Sequence, residues 1–235
     1  AQVCALAGYL QAQGVKRGNR VLLFMQNAPQ FVIGYYAILR ADAAVVPVNP
    51  MNRSVELEHY VEDTDAAICI CGQERYEAVA PLLEAGKLAH AVVANYGDYV
   101  TESTDLDLPA EVQAEPQSLN NDKAITWRDA LDAGHMPSAH EAGPDDLCVL
   151  PYSSGTTGAP KGCVHTHRSV MATAVHSVYW SRSTSEGKSL ATLPYFHVTG
   201  MQNGMNAPIF IGSTVVLMTR WERRTAAESG ARRLR

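Results

Sequence analysis

Short apolar runs alternate with stretches of helical period through the first 94 residues, and that alternation leaves few folds open. Val3, Leu6, Ala7 and Leu10 recur at i, i+3, i+4 and i+7, one face of a helix that Gly14 terminates. Residues 20–25 (RVLLFM) form a short apolar run, read as a buried strand. In residues 29–41, Phe31, Tyr35, Ile38 and Leu39 share one face with Val32 and Tyr36 beside it. That breadth predicts a helix buried on several sides, with Pro29 in its first turn. AAVVPV (43–48) reads as a second strand, stopped by Asn49-Pro50. Ser54 is expected to cap the next helix, with Glu56 and Glu58 favouring its positive end. AAICIC (66–71) is a third strand, Tyr76, Val79, Ala80 and Leu83 mark another amphipathic helix, and AHAVVA (89–94) is a fourth strand. Such alternation implies βαβ crossovers: an α/β fold with mainly parallel sheet flanked by helices.

Residues 95–146 break the rhythm. They hold 12 of the 24 acidic residues and two basic ones, Lys123 and Arg128, which argues against nucleic acid as a partner there. The expectation is an acidic surface excursion, with a small helix near Trp127 to Asp132. From residue 147 the pattern returns: LCVLPY as a strand, a polar glycine-rich loop, and a helix from about His167 whose face is Met171, Val175, Val178 and Tyr179. SLATLP and STVVLM are further strands, with an apolar segment to Ile211 between them. The domain reading is therefore 1–94, 95–146 and 147–228, followed by a tail at 229–235. There the apolar periodicity is lost among arginines, so the tail is expected to be exposed and mobile. A basic helix end is its other reading.

No apolar run approaches the roughly 20 residues that a bilayer span needs. The start of the chain lacks a signal peptide's basic region and compact apolar stretch, so a cytoplasmic protein is the default expectation; it also lacks an initiator Met. Cys69 and Cys71, two apart on a strand, should point to one face. With no second pair to complete a zinc site, the cysteines read as reduced core thiols.

The chemistry sits in residues 152–162, YSSGTTGAPKG. Four hydroxyl side chains and three glycines end in a lysine, between a strand and a helix. Glycines let the backbone approach a ligand closely; N–H groups and hydroxyls then wrap phosphate oxygens while Lys161 adds a full charge. The rival is the loop G-x-x-x-x-G-K-[ST]. Counted from Gly155, its second glycine is Pro160 and the hydroxyl after Lys161 is Gly162, so two of its four fixed positions fail. His165 and His167 flank the loop at H-x-H spacing, but no third metal ligand is visible, and they read as polar residues at a helix start.

This segment resembles the phosphate loop of adenylate-forming enzymes, [YF]-T-S-G-T-T-G-x-P-K-G, departing only at Ser153, which keeps the hydroxyl. A second segment, residues 193–201 (LPYFHVTGM), resembles the family's acyl-pocket pattern L-P-x-F-H-x-x-G. Residues 21–30 and 46–60 are also similar, so the resemblance extends to about residue 228. It implies that Ser153, Ser154, Gly155, Thr156, Thr157, Gly158 and Lys161 bind the ATP phosphates, with Ser153 also a candidate Mg2+ ligand. It implies His197 as a catalytic residue beside the reacting carboxylate, and Tyr195, His197, Gly200 and Met201 as substrate-binding. The reaction so implied joins a carboxylate to ATP, giving acyl-AMP and pyrophosphate; coenzyme A then displaces AMP. Phe-His-Val-Thr-Gly leans towards bacterial medium- or long-chain fatty acyl-CoA ligases.

The family's Y-G-x-[ST]-E and Thr-Gly-Asp segments and its mobile lysine-bearing domain have no counterpart in the sequence; Tyr96-Gly97 is followed by Asp98-Tyr99. The expectation is the front portion of a fatty acid–CoA ligase that is not competent by itself. The alternative is a non-catalytic phosphate- or acyl-binding remnant. Oligomeric state is left open.

Overall fold

The computed structural model describes residues 1–153 and 160–233, the last three as backbone alone. The first helices and strands follow the sequence pattern: α1 (Gln2–Ala12), β1 (Arg20–Phe24), α2 (Pro29–Arg40), β2 (Ala44–Pro47), α3 (Ser54–Thr64), β3 (Ile68–Gly72), α4 (Tyr76–Glu84) and β4 (His90–Ala94). Ser54 is not the cap. It is the first helical residue of α3, and Arg53 takes the cap position, where its N–H donates to Glu56 Oε2 at 2.9 Å.

Strand β1 pairs in parallel with β2 and with β3, through Leu22↔Val46 and Leu22↔Cys69. Its side chains divide by the two-residue period of a strand. Val21 and Leu23 join the core formed with α1 and α2, while Leu22 and Phe24 join the core formed with α3 and α4. The same alternation sends Ile68 and Ile70 to the first layer and Cys69 and Cys71 together to the second. Cys148 is also buried, but Cys163 is exposed, so the core-thiol expectation fails there.

The acidic excursion holds more structure than its composition suggests. It contains α5 (Ala110–Gln113), β5 (Ala124–Thr126) and α6 (Trp127–Asp132). Strand β5 extends the large sheet in parallel with β4, and Trp127 is 1% exposed within the core, its indole N–H donating to Tyr99 Oη at 3.1 Å. Three residues with one strong apolar side chain, Ile125, carry too little periodicity to announce a strand. The following segment lies on α1 and α2. A Cβ on Gly8 would meet the His135 carbonyl at 2.6 Å, and the buried Asp42 carboxylate accepts from the Glu141 and Ala142 N–H groups.

The next strands, β6 (Leu147–Val149) and β7 (His165–Thr166), complete the seven-stranded sheet in the order β5-β4-β3-β1-β2-β6-β7. Neither residue 94 nor residue 146 is therefore a boundary of the sheet. Helix α7 (His167–Ser181) begins at a Thr166 cap whose Oγ1 accepts from the Ser169 N–H at 3.2 Å. Its buried face is Val170, Ala174 and Val178; of the expected face only Val178 is buried, Val175 is half-buried, and Met171 and Tyr179 are exposed. One residue is about 100° of rotation on a helix, and apolar side chains lie on both candidate faces. Trp180 and Trp221 are both exposed.

Beyond α7, β8 (Lys188–Ala191) and β9 (Thr214–Leu217) form a separate two-stranded parallel sheet, joined through a π-helical turn (Gly200–Asn206) and α8 (Ala207–Ile211). Helix α9 (Arg223–Arg233) runs past Glu228, and Ser229 is buried. The expected exposed tail is thus helical as far as Arg233.

If residues 124–132 belong to the core, Trp127→Ala removes a buried aromatic and costs about 3–5 kcal/mol in a urea melt. A loss under about 0.5 kcal/mol, the range of a surface substitution, would return the segment to a surface appendage.

Candidate active site

The segment expected to bind phosphate leaves the large sheet at β6 and returns at β7, and its base is closed like a hairpin. Tyr152 and Gly162 form an antiparallel bridge; the Ser153 N–H donates to the Lys161 carbonyl at 3.0 Å, and the Cys163 N–H to the Pro151 carbonyl at 2.9 Å. The Lys161 N–H also faces Ser153 Oγ at 3.4 Å. These bonds fix where the loop starts and ends. Ser154, Gly155, Thr156, Thr157 and Gly158, expected at the phosphates, lie outside the described residues.

Helix α3 anchors that base with one face. Tyr152 packs its ring on Tyr60 at a centroid distance of 4.4 Å and donates its hydroxyl to the Asp63 carboxylate. Burial, and then the Asp63 hydrogen bond, push the Tyr152 phenol well above its ordinary pKa, so it stays a donor. His59 Nε2 lies 3.1 Å from the Pro160 carbonyl; a carbonyl only accepts, so that nitrogen carries the proton. His59, Tyr60 and Asp63 fall on one side of α3 because helical neighbours recur at three and four residues. The sequence reading singled out none of these three for the site. The only available signal was their shared spacing, which many solvated helices show.

Pro160 and Ser153 border a cleft of about 430 Å³ whose lining also includes Asn49, Glu56, Phe196 and His197. The structure therefore brings two distant motifs to one place. His197 is exposed, stacked beside Phe196 at 4.5 Å between centroids. Lys161 is exposed at the same end of the hairpin.

The other residues expected at the substrate do different work here. Tyr195 is 1% exposed, packs on Phe31, and spends its hydroxyl on the Gly204 carbonyl at 3.0 Å. Burial raises its phenol pKa well above the ordinary value. Met201 is buried in the same core. Gly200 meets the backbone directly: a Cβ there would lie 2.1 Å from the Pro194 carbonyl oxygen, so only glycine fits. None of the three is among the residues that line this cleft; they pack within the turn that carries His197. Their side chains are apolar or absent in a segment that must cross the core, and packing claims them.

His167, at the start of α7, is not part of the cleft. It faces a separate cavity of about 630 Å³ with His140, Tyr35 and Phe210, and burial lowers its pKa. Among the described residues, no group of three or more His, Cys, Asp or Glu side chains is placed to hold a metal ion. No helix among them is long and apolar enough to cross a membrane.

Comparison with known proteins agrees with this arrangement. The sequence profile of the family described as AMP-binding enzyme matches residues 1–232. A long-chain-fatty-acid–CoA ligase from Bacillus subtilis is 28% identical over 225 residues, which cover 92% of this chain and 40% of that protein. The ligase of the same name from Salmonella typhimurium is 32% identical over 217 residues, covering 88% and 38%. The crystal structure of a long-chain-fatty-acid-CoA ligase from Archaeoglobus fulgidus superposes with a TM-score of 0.78 at 25% identity, covering 97% of this chain and 41% of that one. The chain thus spans about two fifths of the length of these relatives. A family match over nearly the whole chain and a shared fold agree: the chain belongs to the AMP-binding enzyme family.

Proposed function

We propose that this chain supplies the phosphate loop and one wall of the carboxylate-activating cleft of an ATP-dependent fatty acid–CoA ligase. The observation that carries the reading is the single cleft shared by the loop base and His197. Adenylation needs a carboxylate and the α-phosphate of ATP held in contact, which two motifs on opposite sides of one cleft can do. The fatty acyl substrate follows from the named relatives and from the Phe196-His197-Val198-Thr199-Gly200 sequence.

The described residues fit a polyphosphate. Ser153 lines the cleft and Lys161 is exposed next to its Pro160 border, a neutral donor and a cation for phosphate oxygens. ATP would supply the leaving group, and Ser153 would be this chain's hydroxyl ligand for the Mg2+ that offsets phosphate charge. Ser154, Gly155, Thr156, Thr157 and Gly158 would wrap the same phosphates. Lys161 offsets charge on the phosphates as the bond to pyrophosphate breaks. His197 orients the carboxylate from the other side. Coenzyme A acts in the second step, outside what these residues perform.

Four outcomes follow. Lys161→Met should weaken MgATP binding, measured by titration calorimetry, by about tenfold or more, the worth of a charge-assisted hydrogen bond. Its melting temperature should not change, since the side chain is exposed; a stability loss like that of a core truncation would make the residue structural. His197→Ala should weaken a non-hydrolysable fatty acyl-adenylate analogue more than it weakens ATP, and equal losses would place His197 at the nucleotide. Tighter binding of a benzoyl than of a C8–C16 analogue would reject the fatty acyl substrate. The 235-residue chain by itself should show no fatty-acid-dependent ATP–pyrophosphate exchange, and robust exchange would refute the reading of it as a portion of the catalytic unit.

A further inference from the structure

Strand β1 ends where the sheet reverses its order, with β2 on one side and β3 on the other. In open α/β sheets that crevice at the carboxyl ends is where ligands enter. Here it is filled by side chains. Gln26, Asn27, Gln30 and Asn95 are all buried; the Gln26 N–H donates to Tyr96 Oη at 2.9 Å, and Gln30 Nε2 donates to the Asn95 carbonyl at 2.6 Å.

Asn27 alone of this group reaches across to the second motif. Its Nδ2 donates to the Leu193 carbonyl at 2.9 Å, and its Oδ1 accepts from the Tyr195 N–H at 2.7 Å. The side-chain amide thus pairs with two peptide groups flanking Pro194, as a neighbouring strand would. The other hydrogen bonds of residues 193–197 stay local: His197 N–H to the Pro194 carbonyl at 3.1 Å, Met201 N–H to the His197 carbonyl at 2.9 Å, and Tyr195 Oη to Gly204. Among the described residues, Asn27 is the one polar tie between residues 193–197 and the element group of the large sheet. The loop base is fixed to that same sheet through β6 and α3. Asn27 therefore closes a frame in which both sides of the cleft are referred to one rigid layer.

We propose that Asn27 is a positioning residue that sets His197 opposite the phosphate-loop base. The proposal rests on the cleft being the adenylation site. The residue type is narrowly specified. Asp offers only acceptors and would set a carboxylate oxygen against the Leu193 carbonyl, Leu offers neither bond, and Gln adds a methylene to an arm that is 5% exposed and has no room for it. An unpartnered Leu193 carbonyl and Tyr195 N–H would then let the 193–200 turn relax while the apolar contact of Tyr195 with Phe31 keeps it docked.

The test uses the chain alone, by 1H–15N NMR and amide hydrogen exchange, on Asn27→Asp and on the smaller Asn27→Ser, so that a failure of one to fold does not decide the matter. Expected are shifted amide signals from Tyr195 to Gly200, a shifted His197 ring signal, and exchange of the His197 amide faster by about tenfold, the loss of one or two hydrogen bonds. Amides of β1 and β3 should exchange as in the parent. Unchanged signals at 195–200, or acceleration of β1 and β3 to the same extent, would overturn the proposal and leave Asn27 an ordinary core residue. No nucleotide or carboxylate is needed, so failure of ATP to bind would count against the proposed function and not against this clamp.

Discussion

From Val21 to Phe24 strand β1 has no side chain in water, and its neighbours must therefore be parallel strands connected by helices on both faces. The rest of the structure depends on that double burial. It commits Val21 and Leu23 to the α1–α2 layer and Leu22 and Phe24 to the α3–α4 layer, which fixes register because a one-residue slip would exchange the two sets. Each buried aliphatic or aromatic side chain contributes on the order of 1.5–3 kcal/mol, so exchange of the sets is not tolerated. The strand's carboxyl end is then held to within the packing tolerance of the core, and that is where Asn27 stands.

The functional cleft inherits this rigidity from both sides. On one side, the hairpin base is tied to α3 by the Tyr152 ring, the Tyr152–Asp63 hydrogen bond and the His59–Pro160 bond. On the other, the 193–200 turn is tied to β1 by Asn27 and to α2 through the Tyr195–Phe31 contact. Regular elements thus hold the segments on which the proposed reactive groups sit, the division by which a scaffold positions a site.

Much of the first sheet was legible because fully buried strands and amphipathic helices have strong, different periods. Strand β5 was not, since Ala124, Ile125 and Thr126 look like any three residues in a polar stretch, and only tertiary pairing with β4 makes them a strand. Helix α7 was placed correctly and Val178 is buried as expected, but Val170 and Ala174 take the core in place of Met171 and Tyr179, which are as apolar as they are. In the candidate site, Lys161 and His197 stood out from motif chemistry alone, and both side chains are exposed. That Tyr195 and Met201 pack in the core could not be read from their motif, since a motif gives neighbours in sequence and not the direction of side chains. Asn27 could not be read at all: its partners are more than 160 residues away, and an Asn after a strand ordinarily marks a turn.

The central claim is that the phosphate loop and His197 face the same cleft. Paramagnetic broadening tests it most directly, using ATP complexed with Mn2+ in place of Mg2+ and the 15N-labelled chain. The account predicts that signals of Ser153, Lys161 and His197 broaden together, while His176 on the exposed side of α7 stays sharp. Broadening of Ser153 and Lys161 with His197 unaffected would contradict it, because the two motifs would then belong to different sites.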